Sequence, residues 1–335
     1  MRRIYAVLLV SLCCSPYLVS QERTFDELEA AAAQGDAAAM FLVGYKFYNG
    51  EGVQRDYTEA ANWFKLSADL EYSPAEFMLG GAYSLGQGIP KNLDAAVASW
   101  TSAGEHGNAA AQNKLGRMYH DGDSVPQDYQ RAVYWWKLAA GQGDAEGQLR
   151  LGLVYDLGEG VPKNEAEAVR WYSLAAEKGN SQAQFCLGYA YHEGEGTKQD
   201  FEVAVRWYRL AAQQGNAQAQ THLGLAYVTG EGVPRNYKEG VRWLLQAAGQ
   251  GNATAQYSLG VEYFYGNGVP QDYVEAHKWY SLAAASREKE YRYTAHLASK
   301  ARDVLEANMT PSQRERARYS AGQRYAGRFH DSQVQ

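Results

Sequence analysis

The sequence contains little cysteine. Only three cysteines occur among 335 residues, and two of them, Cys13 and Cys14, lie close to the N-terminus. We expect these two to leave with a cleaved leader, so that Cys186 remains as the single thiol. A single thiol cannot form an intramolecular disulfide, and the fold must then be held together by packing alone.

The chain also has no large excess of charge of either sign. The net charge is −6, and the charged residues, which make up 21% of the chain, are of mixed sign. A nucleic-acid-binding domain normally carries a basic excess or a basic stripe, so we expect no nucleic acid partner. No apolar run after the N-terminal segment approaches the roughly 20 residues that a membrane-spanning helix needs. We therefore expect no transmembrane segment in the mature chain.

Familiar catalytic signatures are absent. The chain has no G-x-S-x-G, H-E-x-x-H, C-x-x-C or G-x-x-x-x-G-K-S/T. His120 and His192 share a position in the repeat described below, but packed helix layers would hold them roughly 20 Å apart, too far for one metal ion. The segment DGDSVPQD fails as a calcium loop because Val125 and Ala132 stand where oxygen ligands are needed. We predict no catalytic residue, no metal and no cofactor.

The first 20 residues differ from everything that follows. Arg2 and Arg3 precede an apolar stretch, Ile4 to Leu12, and Ser20 offers a small residue at which cleavage can occur. This is the pattern of a secretory signal peptide, which we predict at residues 1–20. The mature protein would then be exported, either to the periplasm or out of the cell. The alternative is a cytosolic protein that keeps its apolar start.

A unit of 36 residues repeats along the rest of the chain without insertion or deletion. A Leu-Gly or similar pair, followed three residues later by an aromatic residue, marks each copy. Such a fixed period predicts a solenoid in which each repeat contacts mainly its neighbours. The glycine of the pair recurs at Gly44, Gly80, Gly116, Gly152, Gly188, Gly224 and Gly260.

The copy from Ala217 to Asn252 shows how a repeat is built. Apolar residues such as Leu223 and Tyr227 recur at steps of three and four, which predicts a first helix. Gly224 inside that helix costs roughly 1 kcal/mol against alanine, so we expect it to permit a close approach of the neighbouring helix. Gly-x-Gly pairs follow in most copies and predict the end of the first helix.

A second helix completes each copy. Asn236 is its predicted N-cap, and Glu239 has the spacing that completes a capping box. A tryptophan such as Trp243 is expected to be the large buried anchor of this helix. In the second copy, Trp100 stands one residue after the tryptophan position, which we interpret as a slip.

The two ends of the chain depart from the period. Thr24 and Glu27 form a capping-box pair that opens a single helix, so residues 21–35 are predicted to be an N-terminal capping helix. The seven repeats occupy residues 36–285. We assign residues 286–335 to C-terminal capping helices and a tail, with helices expected near 290–307 and 311–327.

The columns LGxxY, GxGV, Asp or Asn, Trp and AAxxG closely resemble the Sel-one-like repeat family, a branch of the tetratricopeptide-repeat superfamily, over residues 36–285. The resemblance implies an all-α fold, a right-handed α-solenoid whose first helices line the concave side. It also implies an adaptor role in bacterial envelopes, in host interaction or in protein quality control, with no common catalytic residue. One cysteine-rich branch is linked to β-lactamase activity, but its repeats carry paired cysteines that this chain lacks.

Positions equivalent to 221, 225 and 228 vary between copies while the frame stays constant. By resemblance to tetratricopeptide repeats they line the concave groove, and several hold aromatic or cationic side chains of the kind that anchor interfaces. For Phe41 and Phe185, filling the gap between adjacent first helices is an equal alternative. The predicted partner-binding residues are Phe41, Tyr45, Tyr48, Asn113, Arg117, His120, Phe185, Tyr189, His192 and Tyr257.

These observations favour a non-enzymatic, exported interaction scaffold that binds a peptide or protein on its concave face. The partner is a protein or peptide whose identity the sequence does not specify. Two alternatives stay open: a cell-wall-related enzyme or β-lactam-binding protein of the same repeat family, and a cytosolic regulatory adaptor.

Overall fold

The computed structural model describes residues 23–317, and every regular element in that range is a helix. The predicted signal peptide and the end of the chain beyond residue 317 lie outside the described residues. The chain divides into two compact units, one up to Asn164 and one from Glu165. Within each unit consecutive helices pack against one another, which confirms the predicted all-α solenoid.

The first unit contains eight helices within residues 23–164. A single helix, α1, is followed by alternating first and second helices of the repeats, so that the even-numbered helices are first helices. Their bounds are α1 Phe25–Ala33, α2 Ala37–Asn49, α3 Tyr57–Ala68, α4 Ser73–Leu85, α5 Leu93–Glu105, α6 Ala109–Asp121, α7 Tyr129–Gly141 and α8 Ala145–Leu157.

The second unit continues the same alternation and ends in helices that do not follow the period. One of the two expected C-terminal helices is α16, and another helical segment begins at 311 and is described to 317. The bounds are α9 Glu165–Glu177, α10 Ser181–Glu193, α11 Phe201–Gln213, α12 Ala217–Thr229, α13 Tyr237–Gly249, α14 Ala253–Tyr265, α15 Tyr273–Ala284, a 3-10 turn Lys289–Tyr291 and α16 Arg292–Asn308.

The helix ends follow from repeated local residues. In α12 the Asn216 side chain accepts a hydrogen bond from the backbone N–H of Ala219, and Gly230 ends the helix with a φ of 86°. The first helix α6 is bounded in the same way by Asn108 and Gly122. An N-cap oxygen and a left-handed glycine satisfy backbone groups that a helix end leaves unpaired, so these copies carry their own start and stop signals.

The second helices begin at their predicted caps, with one difference. Asn236 accepts a hydrogen bond from the backbone N–H of Glu239 at 3.2 Å. The Glu239 carboxylate, which we expected to reach back to Asn236, instead accepts hydrogen bonds from Arg242 and from Nε1 of Trp243, the latter at 3.0 Å. The Arg242 guanidinium and the Trp243 indole therefore hold this carboxylate away from the N-cap backbone.

In six of the seven copies, the glycine inside the first helix is seen to lie directly against a large side chain of the following second helix. A Cβ built at Gly80 would lie 2.5 Å from Nε1 of Trp100, and one built at Gly224 would lie 2.8 Å from Cγ of Leu244. The expected close approach is therefore confirmed, because a residue with a side chain at either glycine would collide with its partner.

The interpretation of Trp100 as a slipped tryptophan is wrong. Trp100 occupies the column that packs on the glycine, which holds Phe64, Trp136, Tyr208, Leu244 and Tyr280 in other copies. The tryptophan column is the preceding one, and it packs elsewhere: Trp135 lies against Gly104 of α5, the second helix of the preceding repeat. Two adjacent positions therefore carry two different contacts, one within a repeat and one between repeats.

The second glycine of the Gly-x-Gly pairs is explained by a close contact with the backbone of another helix. Gly160 has a φ of 73°, and a Cβ there would lie 2.5 Å from the carbonyl oxygen of Tyr129, at the start of α7. Ser124 takes the place of this glycine in the third copy and adopts a φ of 68°. A serine in this left-handed conformation stores strain that a glycine would not.

Buried amides link successive layers. Nε2 of Gln112 donates a hydrogen bond to the Gly104 carbonyl at 2.8 Å, while Oε1 of Gln112 accepts one from Gln142 at 2.8 Å. In the second copy the same two positions hold Glu76 and His106, whose side chains contact at 3.0 Å. In these two copies a hydrogen-bonded pair is kept although the chemistry of the pair changes.

Apolar clusters lie at both ends of the described chain. Leu28 and Ala32 of α1 are buried together with Val43 of α2. Leu305 of α16 is buried with Tyr280, in a cluster that also contains Met309 and Ala317. Across residues 23–317, none of the helices is long and apolar enough to cross a membrane.

Two adjacent glycines of α4 allow a matched test of the helix contact. Gly80→Ala should lower the free energy of unfolding by about 1–3 kcal/mol, because the new methyl group collides with the Trp100 ring. Gly81→Ala should raise it by about 0.5–1 kcal/mol, because no atom lies within 4 Å of a Cβ at that position and alanine favours the helix. Urea unfolding of both variants measures the difference. Equal effects at the two positions would contradict the contact.

Ser124 allows a test of the turn. Ser124→Gly should raise the free energy of unfolding by about 1 kcal/mol, because relief of the left-handed strain outweighs the greater freedom of glycine in the unfolded chain. Thermal unfolding with calorimetry measures the shift. Gly122→Ser, which places serine at the neighbouring left-handed position with a φ of 70°, should shift stability in the opposite direction. A Ser124→Gly variant less stable than the parent would contradict the assignment of strain.

Candidate functional site

The predicted partner-binding residues lie on the first helices of four repeats. In the first unit they are on α2 and α6, and in the second unit on α10 and α14. Arg117 and Tyr189 are exposed, and the other eight are half-buried. The structure therefore places most of these side chains between the core and the surface.

The α2 residues form one aromatic group. The ring centre of Phe41 lies 6.0 Å from that of Tyr45 and 5.9 Å from that of Phe64 of α3. The Tyr48 ring packs edge-on against Tyr57 at 5.4 Å, and burial raises the pKa of the Tyr48 hydroxyl. Phe41 is thus both a core contact of the helix pair and a partly accessible ring, so the two alternatives raised from the sequence are not exclusive.

The α6 residues have polar partners. Nδ2 of Asn113 donates a hydrogen bond to Oδ1 of Asp144 at 2.7 Å, the same oxygen that caps α8. Nδ1 of His120 lies 2.7 Å from Asp121, and its Nε2 lies 2.8 Å from Glu159. Burial lowers the pKa of His120, but the two carboxylates outweigh burial, and the net shift is upward.

Arg117 lies one turn before the end of α6 and is exposed. Lys114 is not among the predicted partner-binding residues, and it lies one turn earlier on the same helix. Its Nζ is 4.0 Å from the ring centre of Trp100, a cation–π contact. Burial and the charge of Arg117 together lower the pKa of Lys114. A partly buried cation therefore stands beside an exposed one.

The α10 residues belong to a second aromatic group, in which His222 of α12 is central. The ring centre of His222 lies 5.5 Å from Phe185, 5.9 Å from Tyr189 and 6.1 Å from His192. Tyr208 of α11 completes the group at 5.1 Å from His222. Burial, with a smaller contribution from His192, lowers the pKa of His222 to about 4, so this histidine is neutral at physiological pH.

His222 was missed because the selected face used positions 221, 225 and 228 only. The residue that follows position 221 in each copy also contributes to the face, as both Lys114 and His222 show. A first helix presents a stripe wider than a single row of residues, and a wider helical face would have included this column.

Tyr257 of α14 has a different environment. Its ring centre lies 5.7 Å from that of Tyr280, in the cluster that contains Leu305 and Met309 of the C-terminal segment. The C-terminal helices therefore supply part of the packing around this position, and Tyr257 stands apart from the α10 group.

Chemistry-bearing side chains do not gather into a metal site in the part of the chain that is described. Between residues 23 and 317 no group of three or more histidine, cysteine, aspartate or glutamate side chains could hold a metal ion. Cys186 of α10 forms no disulfide and accepts a hydrogen bond from Nε2 of Gln182. The arrangement at these positions is suited to contact through rings, cations and hydrogen bonds.

The low pKa of His222 predicts a pH dependence for the second unit. Because the folded-state pKa is below the ordinary 6.5, the unfolded chain takes up a proton first as the pH falls. The folded state should therefore lose up to about 3 kcal/mol between pH 6.5 and 4 through this group. His222→Phe, which keeps a ring in the group, should remove that loss.

Urea unfolding at several pH values measures the effect as the difference between parent and variant. The control is His296→Gln, which changes an exposed histidine of α16. An identical pH dependence in the parent and in His222→Phe would contradict burial of a neutral His222.

Solved structures of similar proteins include a Sel1 repeat protein from Oxalobacter formigenes. It is 34% identical, with a TM-score of 0.57, over 64% of this chain and 86% of that chain. The protective antigen c5321 of uropathogenic Escherichia coli strains, which displays an SLR fold, is 24% identical with a TM-score of 0.45 over 90% of this chain and 94% of that chain. No curated protein sequence matches the chain.

A model of the Sel1 repeat matches seven consecutive segments of the chain. They are residues 37–72, 73–108, 109–144, 145–180, 181–216, 217–252 and 253–287. These segments coincide with the 36-residue units and with the alternation of first and second helices. Sel1 repeat proteins are generally non-catalytic scaffolds for protein interactions. The chain belongs to the Sel1 repeat family.

Proposed function

We propose that this protein is an exported, non-enzymatic scaffold that binds a segment of a partner protein on the faces of its first helices. The observation that carries the proposal is the packing of the candidate residues. Phe185 and Tyr189 are held against His222 at ring-centre distances of 5.5 and 5.9 Å, and Tyr189 keeps 38% of its surface exposed. Rings fixed in this way offer contact area with little loss of freedom on binding.

The same feature recurs in the first unit. Phe41 and Tyr48 are packed from below by Phe64 at 5.9 and 6.4 Å. Because the glycine contact fixes the angle between the two helices of a repeat, side chains on the outer edge of the first helix can change without disturbing the stack. A constant frame with a variable face suits recognition of a particular partner.

Export is proposed from the N-terminal sequence. Arg2 and Arg3 before the apolar stretch, with Ser20 at its end, have the organisation of a signal peptide. Cys186 would then be the only cysteine of the mature chain, which suits an oxidising compartment because no mispaired disulfide can form within one molecule. The periplasm and the extracellular space are both compatible with this proposal.

The proposal can be tested by photo-crosslinking in the native host. A photoreactive amino acid is placed at position 81, where no atom lies within 4 Å of a Cβ, and in a control at position 137 on the exposed side of α7. We expect position 81 to capture a discrete partner protein and position 137 to capture none. N-terminal sequencing of this protein, recovered from the crosslinked product, should begin at Gln21, because the signal peptide would have been removed.

Variants connect the capture to the candidate residues. Tyr45→Ala, Arg117→Ala and Tyr189→Ala combined should abolish crosslinking at position 81 while helical content by circular dichroism is unchanged. The matched control combines Tyr134→Ala, Lys137→Ala and Leu210→Ala, which remove exposed side chains of second helices. Capture that survives the first set, or that both sets reduce equally, would refute the assignment of the first-helix face.

A further inference from the structure

Two cations of α6 stand side by side without a carboxylate at ion-pair distance. Within residues 23–317, the ion pairs of this region use His120 and Arg150, and none uses Lys114 or Arg117. The two residues are three apart in sequence, so their side chains lie on the same face of the helix, where like charges repel. An arrangement of this kind is stabilised when an anion binds between the charges.

The Lys114 ammonium is held in a partly buried position by its contact with Trp100. Its ammonium lies 4.0 Å from the ring centre of Trp100, and the same indole donates a hydrogen bond from Nε1 to the Phe77 carbonyl at 3.1 Å. Trp100 therefore connects α4 to the cation of α6. Burial and Arg117 lower the pKa of Lys114 more than the charge of Asp123 raises it, so the ammonium is only partly compensated where it stands.

The neighbouring copies differ at the equivalent positions. In the preceding repeat, the position equivalent to Arg117 is occupied by Gly81, and no atom lies within 4 Å of a Cβ built there. One repeat after Lys114 the position is Arg150, whose Nε donates a hydrogen bond to Glu146 at 2.7 Å. Arg150 thus already forms a direct ion pair, whereas the α6 cations have only the more distant charge of Asp123, and position 81 adds no side chain to the space beside them.

We propose that Lys114 and Arg117 bind the side-chain carboxylates of an acidic segment of the partner protein, with room for its main chain above Gly81. This inference rests on the proposed scaffold function and specifies the chemistry of its partner. Carboxylates pair with an ammonium and a guanidinium through charge-assisted hydrogen bonds, and Arg117 can engage one through two nitrogens at once.

Nucleic acid is a poorer occupant of the same cations. The chain carries a net charge of −6, and Asp121 and Asp123 follow directly at the end of α6. A continuous row of phosphates would meet these carboxylates, while a peptide can place one or two acidic residues between the cations and neutral residues elsewhere. The local charge pattern therefore favours a short acidic peptide segment.

The test uses the chain from residue 21 to 335 and two fluorescein-labelled dodecapeptides, one alternating glutamate with serine and the other glutamine with serine. Fluorescence anisotropy at low salt measures the affinities. We expect the glutamate peptide alone to bind. Lys114→Met combined with Arg117→Gln should weaken its binding by about tenfold, equivalent to about 1.4 kcal/mol.

The variants are chosen to keep the fold. Methionine at position 114 retains an aliphatic stem over Trp100, and Arg117→Gln alone changes an exposed side chain and should weaken binding about threefold. Lys137→Gln removes the same charge from the exposed side of α7 and should leave the affinity unchanged. Added salt should weaken binding of the parent and change the double variant little.

Three results would overturn the proposal: equal binding of the glutamine peptide, equal weakening by Lys137→Gln, or tighter binding of a labelled single-stranded DNA. The crosslinking experiment separates this failure from failure of the scaffold function. If the Lys114→Met, Arg117→Gln double variant captures the partner at the parental level, the proposed recognition of acidic residues is wrong, while the scaffold function is supported. If position 81 of the parent captures nothing, the scaffold function itself fails.

Discussion

The structure depends on the absence of one Cβ in each first helix. At Gly80, Gly116 and Gly224 the following second helix lays a tryptophan, or in one case a leucine, directly on the glycine backbone. This contact sets the distance and angle between the two helices of a repeat. The contact recurs at the same spacing between glycine and partner in six of the seven copies, within a period that holds at 36 residues throughout.

The contacts between repeats are of a second kind. A left-handed glycine such as Gly160 lets the loop after a first helix lie against the start of the preceding second helix. Tryptophans such as Trp135 fill the space between second helices, and paired amides such as Gln112 and Gln142 satisfy buried polar groups. These contacts tolerate exchange, as the replacement of an amide pair by Glu76 and His106 in the second copy shows.

A frame fixed by backbone contacts leaves the outer edge of the first helices available for recognition. There the two units carry different chemistry: a tyrosine-rich group and two unpaired cations in the first, and an aromatic group around a neutral histidine in the second. Each group is anchored from below by the residue that packs on a glycine, such as Phe64, Trp100 or Tyr208. The contact that builds the fold therefore also orients the side chains proposed to bind a partner.

Much of the fold was determined by the sequence alone, because period, caps and turns are local properties. Asn216 and Gly230 start and end a helix through bonds to their own neighbours, and seven copies of one pattern leave a single helical architecture. Which side chain meets which glycine is a tertiary property, and here the sequence misled: Trp100 belongs to the glycine contact and not to the tryptophan column. The inclusion of His222 and Lys114 in the candidate face was likewise decided only by packing, since burial and the nearness of Trp100 or Phe185 depend on helices that are distant in sequence.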